Sequence, residues 1–140
     1  MKKRSGAFIR RFWPLIAALA VLVGVLALRS RHPLVVVKGL SMEPTYRDGE
    51  LLFCSRIRDP SEISVGDVVV ARPQAAGLER VIKRVIGCPG DTVPADIAGS
   101  ELLLGKNEFY LCGDNRDNSV DSRTYGPVLF EDIQFRVNGG

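Results

Sequence analysis

Residues 12–28 form an unbroken run of 17 positions without a charged side chain, and the chain has no acidic residue at all before Glu43. The same N-terminal stretch holds eight basic residues: Lys2, Lys3, Arg4, Arg10, Arg11, Arg29, Arg31 and Lys38. As a helix rising ~1.5 Å per residue, the run reaches about 26 Å, slightly under a ~30 Å hydrocarbon core. Trp13 suits the bilayer interface, and Arg29 and Arg31 have the length to reach the headgroups. More positive charge precedes the run than follows it, which predicts a cytoplasmic N-terminus and an outward-facing body. A cleaved export signal is the competing reading. Its usual small-x-small site should lie just after the apolar region, whereas Ala18-Leu19-Ala20 is inside the run and Leu28-Arg29-Ser30 is a poor match. The expected organisation is a basic cytoplasmic tail at 1–11, a transmembrane anchor at 12–28 and an extracytoplasmic domain at 29–140, with the lipid bilayer as one partner.

The overall charge of +3 hides this segregation. From residue 43 onward 11 basic residues face 16 acidic ones, so the body is net negative, which argues against a nucleic-acid partner. Three cysteines, Cys54, Cys88 and Cys112, make a disulfide framework a poor explanation, and no CxxC spacing suggests zinc. They read as small apolar core residues, although one pair could bridge. The single histidine, His32, lies ahead of the body, so a Ser-His-Asp triad is poorly supported.

Short runs rich in Val, Ile, Leu and Phe, punctuated by Gly, Pro and Asp, predict strands at 34–38, 50–57, 67–72, 80–86, 109–111 and 133–137. No segment after residue 30 keeps a helical period, apart from one possible turn at 61–63. The expected fold is mainly β: a small folded or barrel-like antiparallel body with one N-terminal transmembrane helix.

Three segments carry chemistry. Ser41 sits in Gly39-Leu40-Ser41-Met42-Glu43-Pro44-Thr45, a bend that could present both its hydroxyl and its amide. Lys83 sits in Val81-Ile82-Lys83-Arg84-Val85, where strand alternation puts Val81, Lys83 and Val85 on one face and Arg84 on the other. A free lysine with a pKa of ~10.4 is almost wholly protonated near neutrality, but apolar burial can lower that value by up to ~3–5 units and make the amine a general base. The alternation leaves open whether Lys83 points inward or to solvent. The third segment, 113–123, is dense in Asp, Asn, Ser and Arg. Counted from Asp114 it has Arg116 at position three, Ser119 at position six and Tyr125 at position twelve, which excludes an EF-hand. It reads either as a solvated loop or as a brace in which Ser119 bonds a catalytic amine.

Taken together, these segments resemble the type I signal peptidases, membrane-anchored Ser-Lys proteases, over nearly the whole chain and in the family's order. The resemblance rests on the apolar segment, Ser41-Met42-Glu43-Pro44-Thr45, Gly66-Asp67-Val68-Val69-Val70, Lys83 through Asp91, and Gly113-Asp114-Asn115 through Arg123. It implies Ser41 as nucleophile, Lys83 as general base and Ser119 as the group that orients the amine. It also implies supporting pairs Arg84–Asp114 and Asp121–Arg123, with Met42 in the substrate pocket. Alternation adds Leu34 and Val36 as lining for small substrate residues. Gly39 stands where some members have a serine that assists the oxyanion hole, so the hole would rest on main-chain amides, chiefly that of Ser41. Only about fifteen residues connect Asp91 to the next strand, too few for the large accessory β-domain of some members. The implied function is removal of signal peptides from exported preproteins after small-x-small sites, through an acyl-enzyme and without metal or cofactor. The implied setting is a bacterial-type plasma membrane, crossed once, near the secretion translocase. Two rivals are an inactive membrane-anchored binding module on the same fold and a self-cleaving Ser-Lys domain of the repressor type.

Overall fold

A computed structural model describes residues 5–139, with the backbone alone for residues 5–11 and 28–31. Lys2, Lys3 and Arg4 of the expected basic tail therefore lie outside the described residues. The chain divides into two units, one ending at His32 and the other beginning at Pro33.

The first unit is helix α1 (Ser5–Arg31), 27 residues long, and it contains the apolar run. Among the described residues, no helix is long and apolar enough to cross a membrane. The side chains described in α1 cover residues 12–27, which at ~1.5 Å per residue extend about 24 Å, against a core of ~30 Å. The expected helix is present; its passage through a bilayer is not shown.

The second unit is a seven-stranded antiparallel sheet. Its strands are β1 (Leu34–Val36), β2 (Leu51–Arg56), β3 (Val68–Ala71), β4 (Val81–Gly87), β7 (Glu108–Cys112), β8 (Val128–Leu129) and β9 (Ile133–Val137). Their order is β1-β2-β9-β3-β4-β7-β8. A separate pair, β5 (Thr92–Val93) and β6 (Leu102–Leu103), fills the connection after β4. The sheet is an open half-barrel with β1 and β8 as its edges. All six expected strands are present, with ends that differ by a few residues. The two-residue strands β5, β6 and β8 and the four-residue helices α2 (Ala95–Ala98) and α3 (Ser122–Tyr125) were not anticipated. Runs this short carry no readable period. The expected turn at 61–63 is a 3-10 turn at Pro60–Glu62, fixed by an Asp59–Glu62 capping box.

Strand β3 is covered on both faces. All four of its residues are buried, and alternation sends them into two different cores. Val68 and Val70 join Val35, Val37, Leu52, Cys54, Ile82 and Val137. Val69 and Ala71 join Val85, Phe109, Leu111, Val128 and Ile133 on the other side. A third small cluster, Val93, Leu104, Tyr110 and Cys112, packs under the β5–β6 pair. The three cysteines are free thiols: Cys54 and Cys112 are buried in the first and third clusters, and Cys88 packs against the second.

Candidate active site

Two strands and two loops converge on Ser41. Lys83 is the third residue of β4 and pairs with Val69 of β3. Its neighbours Val81 and Val85 both pack in the second core. Only 4% of Lys83 is exposed, and its Nζ lies 2.7 Å from the hydroxyl oxygen of Ser41. Burial holds its pKa below the ordinary lysine value, with Asp121 and the Cys112 thiol acting in the opposite direction. The half-buried Ser41 lies on the bend before β2, in a loop that returns through a cis Glu43–Pro44 bond. Gly39 enters that bend at φ +85°, in the left-handed region, and its amide donates to Asp48 Oδ1 at 2.7 Å. Space beside Gly39 is open.

The segment after β7 clamps this bend. The Asn115 amide donates to the Ser41 carbonyl at 3.0 Å, and its side-chain amide donates to the Leu40 carbonyl at 3.1 Å. Gly113 passes between Ser41 and Ser119. A Cβ built there would lie 2.5 Å from the Ser41 carbonyl oxygen and closer still to Ser119 Oγ. The Thr45 hydroxyl donates to Asp114 Oδ2 at 2.6 Å. Asp114 in turn receives Arg84 through Nε at 2.8 Å and Nη2 at 2.7 Å, while Arg84 Nη1 donates to the Gly66 carbonyl at 2.6 Å. This fork ties β4, the Ser41 loop, the segment after β7 and the start of β3 together. The Arg84 guanidinium keeps the Asp114 carboxyl below its ordinary value.

Asp121 is completely buried and is the second brace. It caps α3 and accepts from Ser119 Oγ at 2.7 Å, from the Gly113 amide at 2.9 Å and from Arg123 Nε and Nη2, both at 2.9 Å. Burial alone would raise its pKa, but the bonds from Arg123, Gly113 and Ser119 outweigh it and bring the value to about 2.

The structure thus brings Ser41, Lys83, Ser119, Arg84, Asp114, Asp121 and Arg123 into one neighbourhood. The hydroxyl of Ser119, expected on the lysine amine, is directed to Asp121 Oδ2, and the serine bonded to Lys83 is Ser41. Met42, expected in the pocket, is instead 1% exposed within the first core, because the residue after Ser41 turns inward at the bend. Leu34 and Val36, about half exposed, do line a cleft of ≈ 570 Å³ that opens on Ser41 and Lys83, together with Val35, Val81 and Ile82. Thr45 and Asn115 had no assigned role in the sequence reading. Both stand inside motifs already singled out, and only the fold shows which groups they meet.

The chain is also similar, over most of its length, to known proteins. A family model described as signal peptidase, peptidase S26 matches residues 9–103 and 95–138. Mitochondrial inner membrane protease subunit 1 of Xenopus tropicalis is 39% identical over 108 residues, which is 74% of this chain and 65% of that protein. Signal peptidase I of Bacillus amyloliquefaciens is 33% identical over 135 residues, 91% of this chain and 70% of the relative. Signal peptidase I T of Bacillus subtilis is 28% identical over 163 residues, covering 94% and 83%. The chain spans just under two thirds of the length of the mitochondrial subunit.

Proposed function

The chain belongs to the peptidase S26 family of signal peptidases, and from that premise we propose that it is a membrane-bound serine endopeptidase that removes signal peptides from exported preproteins. The observation that carries this reading is the 2.7 Å contact between Ser41 Oγ and the buried Lys83 Nζ. Once Lys83 is neutral, the serine O–H donates to its lone pair across the same contact. Oγ then attacks the carbonyl carbon of the residue before the scissile bond, and its proton passes to Nζ. Collapse of the tetrahedral intermediate breaks the C–N bond. The new amino terminus of the mature protein leaves with the proton from the Lys83 ammonium. The acyl group stays on Ser41 as an ester. Neutral Lys83 next takes a proton from water, the hydroxide attacks the ester, and Ser41 recovers its hydrogen as the signal peptide departs.

The developing oxyanion needs donors. With the Gly39 amide directed to Asp48, the Ser41 amide is the main-chain candidate. Ser119 serves as a positioning residue, held by Asp121 beside Gly113. An extended substrate suits the cleft, because β1 is an edge strand that offers unpaired backbone groups, and Leu34 and Val36 there favour small side chains. The membrane assignment rests on the apolar run at 12–28, with the N-terminus cytoplasmic and the body on the far side, as expected for a bacterial-type plasma membrane and for work near the secretion translocase. Anchoring would confine enzyme and preprotein to one plane.

The test is processing of a model preprotein by purified full-length protein in liposomes. Ser41→Ala should remove processing to background while circular dichroism and thermal melting stay near wild type. Full processing by that variant would end the proposal.

A further inference from the structure

The charge around the cleft is opposite to that of the body that carries it. Acids outnumber bases from residue 43 onward, 16 to 11. Yet the residues lining the cleft include Lys38, Arg72 and Arg80 in addition to Lys83, with Glu79 as the sole acid. None of the ion pairs among the described residues involves Lys38, Arg72 or Arg80. The last residue pair of β3 and β4 is Ala71 with Val81, so Arg72 leaves one strand and Arg80 enters the other at the same end of the pair. The Arg80 guanidinium lies 5.9 Å from the Phe135 ring centroid, a ring it shares with Arg56 at 5.6 Å. Gln134, also in the lining, keeps a buried Oε1 with no hydrogen-bond partner. A peptide N–H would satisfy that acceptor, and a carboxylate would give the cleft's arginines an ion-pair partner.

We propose that Arg72 and Arg80, with Lys38, select preproteins that carry an aspartate or glutamate within a few residues of the scissile bond. This rests on the peptidase reading above and narrows its substrate class. The recognition is an anion contact at a partly exposed site, so it is salt-sensitive and of moderate size.

Two measurements on full-length protein test it. The first compares kcat/KM for preproteins that differ only by Asp or Asn at each position flanking the cleavage site. At one or more positions the Asp substrate should be favoured about threefold to fivefold at low ionic strength. The preference should shrink with added salt, fall toward unity in Arg72→Gln/Arg80→Gln, and turn toward a Lys-bearing substrate in Arg80→Glu. The second measures anisotropy of the same labelled peptides on Ser41→Ala protein, which reads the preference without catalysis. Equal cleavage and equal binding of Asp and Asn peptides would overturn the inference while leaving Ser41-dependent processing intact. A binding preference without any Ser41-dependent cleavage would leave an anion-binding cleft but defeat the peptidase reading and the preprotein selection that rests on it. Loss of adhesion to phosphatidylglycerol vesicles in Arg72→Gln/Arg80→Gln, with no peptide preference, would assign the cations to lipid and also overturn it.

Discussion

Lys83 and Arg84 are adjacent cations on one strand, and the structure treats them in opposite ways. Arg84 meets Asp114 through two short bonds and keeps its charge. Lys83 is buried against Val81 and Val85 and has a neutral hydroxyl as its hydrogen-bond partner. The outward residue is satisfied and therefore inert; the inward one is under-solvated and therefore basic at lower pH. One cation is held by a direct ion pair, and the other, with no carboxylate in hydrogen-bond contact, is left with a lowered pKa. The Asp121–Arg123 pair belongs with Arg84: it holds Gly113 and Ser119 in place without touching the lysine amine.

The largest break in this contrast should come from Lys83→Met. Cleavage should fall by at least about 10³-fold, the order seen when a nucleophile loses its base. Stability should move the other way. Because the folded pKa of Lys83 lies below its unfolded value, charging it opposes folding. Wild-type stability therefore rises with pH between the lowered folded pKa and ~10.4, and it carries the full cost below that window. Denaturant titrations across pH should show that slope in wild type and lose it in Lys83→Met. A related check is the pH–rate profile: kcat/KM should drop about tenfold per unit below the Lys83 pKa, and a rate flat down to pH 5 would contradict the assignment.

Gly113→Ala should be the next largest. Its methyl group would press on the Ser41 carbonyl and Ser119, displacing the nucleophile from the amine. An activity loss of about 10²-fold is expected, since a misplacement near 1 Å is enough for that. Asp121→Asn should give the smallest effect on catalysis but a clear one on folding. The folded carboxyl titrates at about 2 against an ordinary 3.8, which is worth about 2 kcal/mol. That stability is fully present above the unfolded pKa and is lost as pH falls through the folded one. Urea midpoints of wild type and variant should therefore differ at pH 7 and converge near pH 2.

Much of this site was legible because its residues obey local rules. Alternation alone separated Lys83 from Arg84, and the pairs Arg84–Asp114 and Asp121–Arg123 followed from the resemblance. What stayed hidden depended on long-range closure. Nothing local says that Met42 turns into the core while Ser41 turns out. Nothing local says that the Asn115 amide caps the Ser41 carbonyl across 74 positions of chain. The electrostatic reversal at the cleft was hidden for the same reason, since Lys38, Arg72 and Arg80 come together only through the fold. The two-residue strands were invisible because they owe their geometry to neighbours rather than to composition.

Strand β9 is the last strand in chain order among the described residues, yet it lies in the middle of the sheet, between β2 and β3. It is the seam between the half that carries Ser41 and the half that carries Lys83. Loss of β9 alone would part the two halves along that seam while β1–β2 and β3–β4 each kept their own pairing.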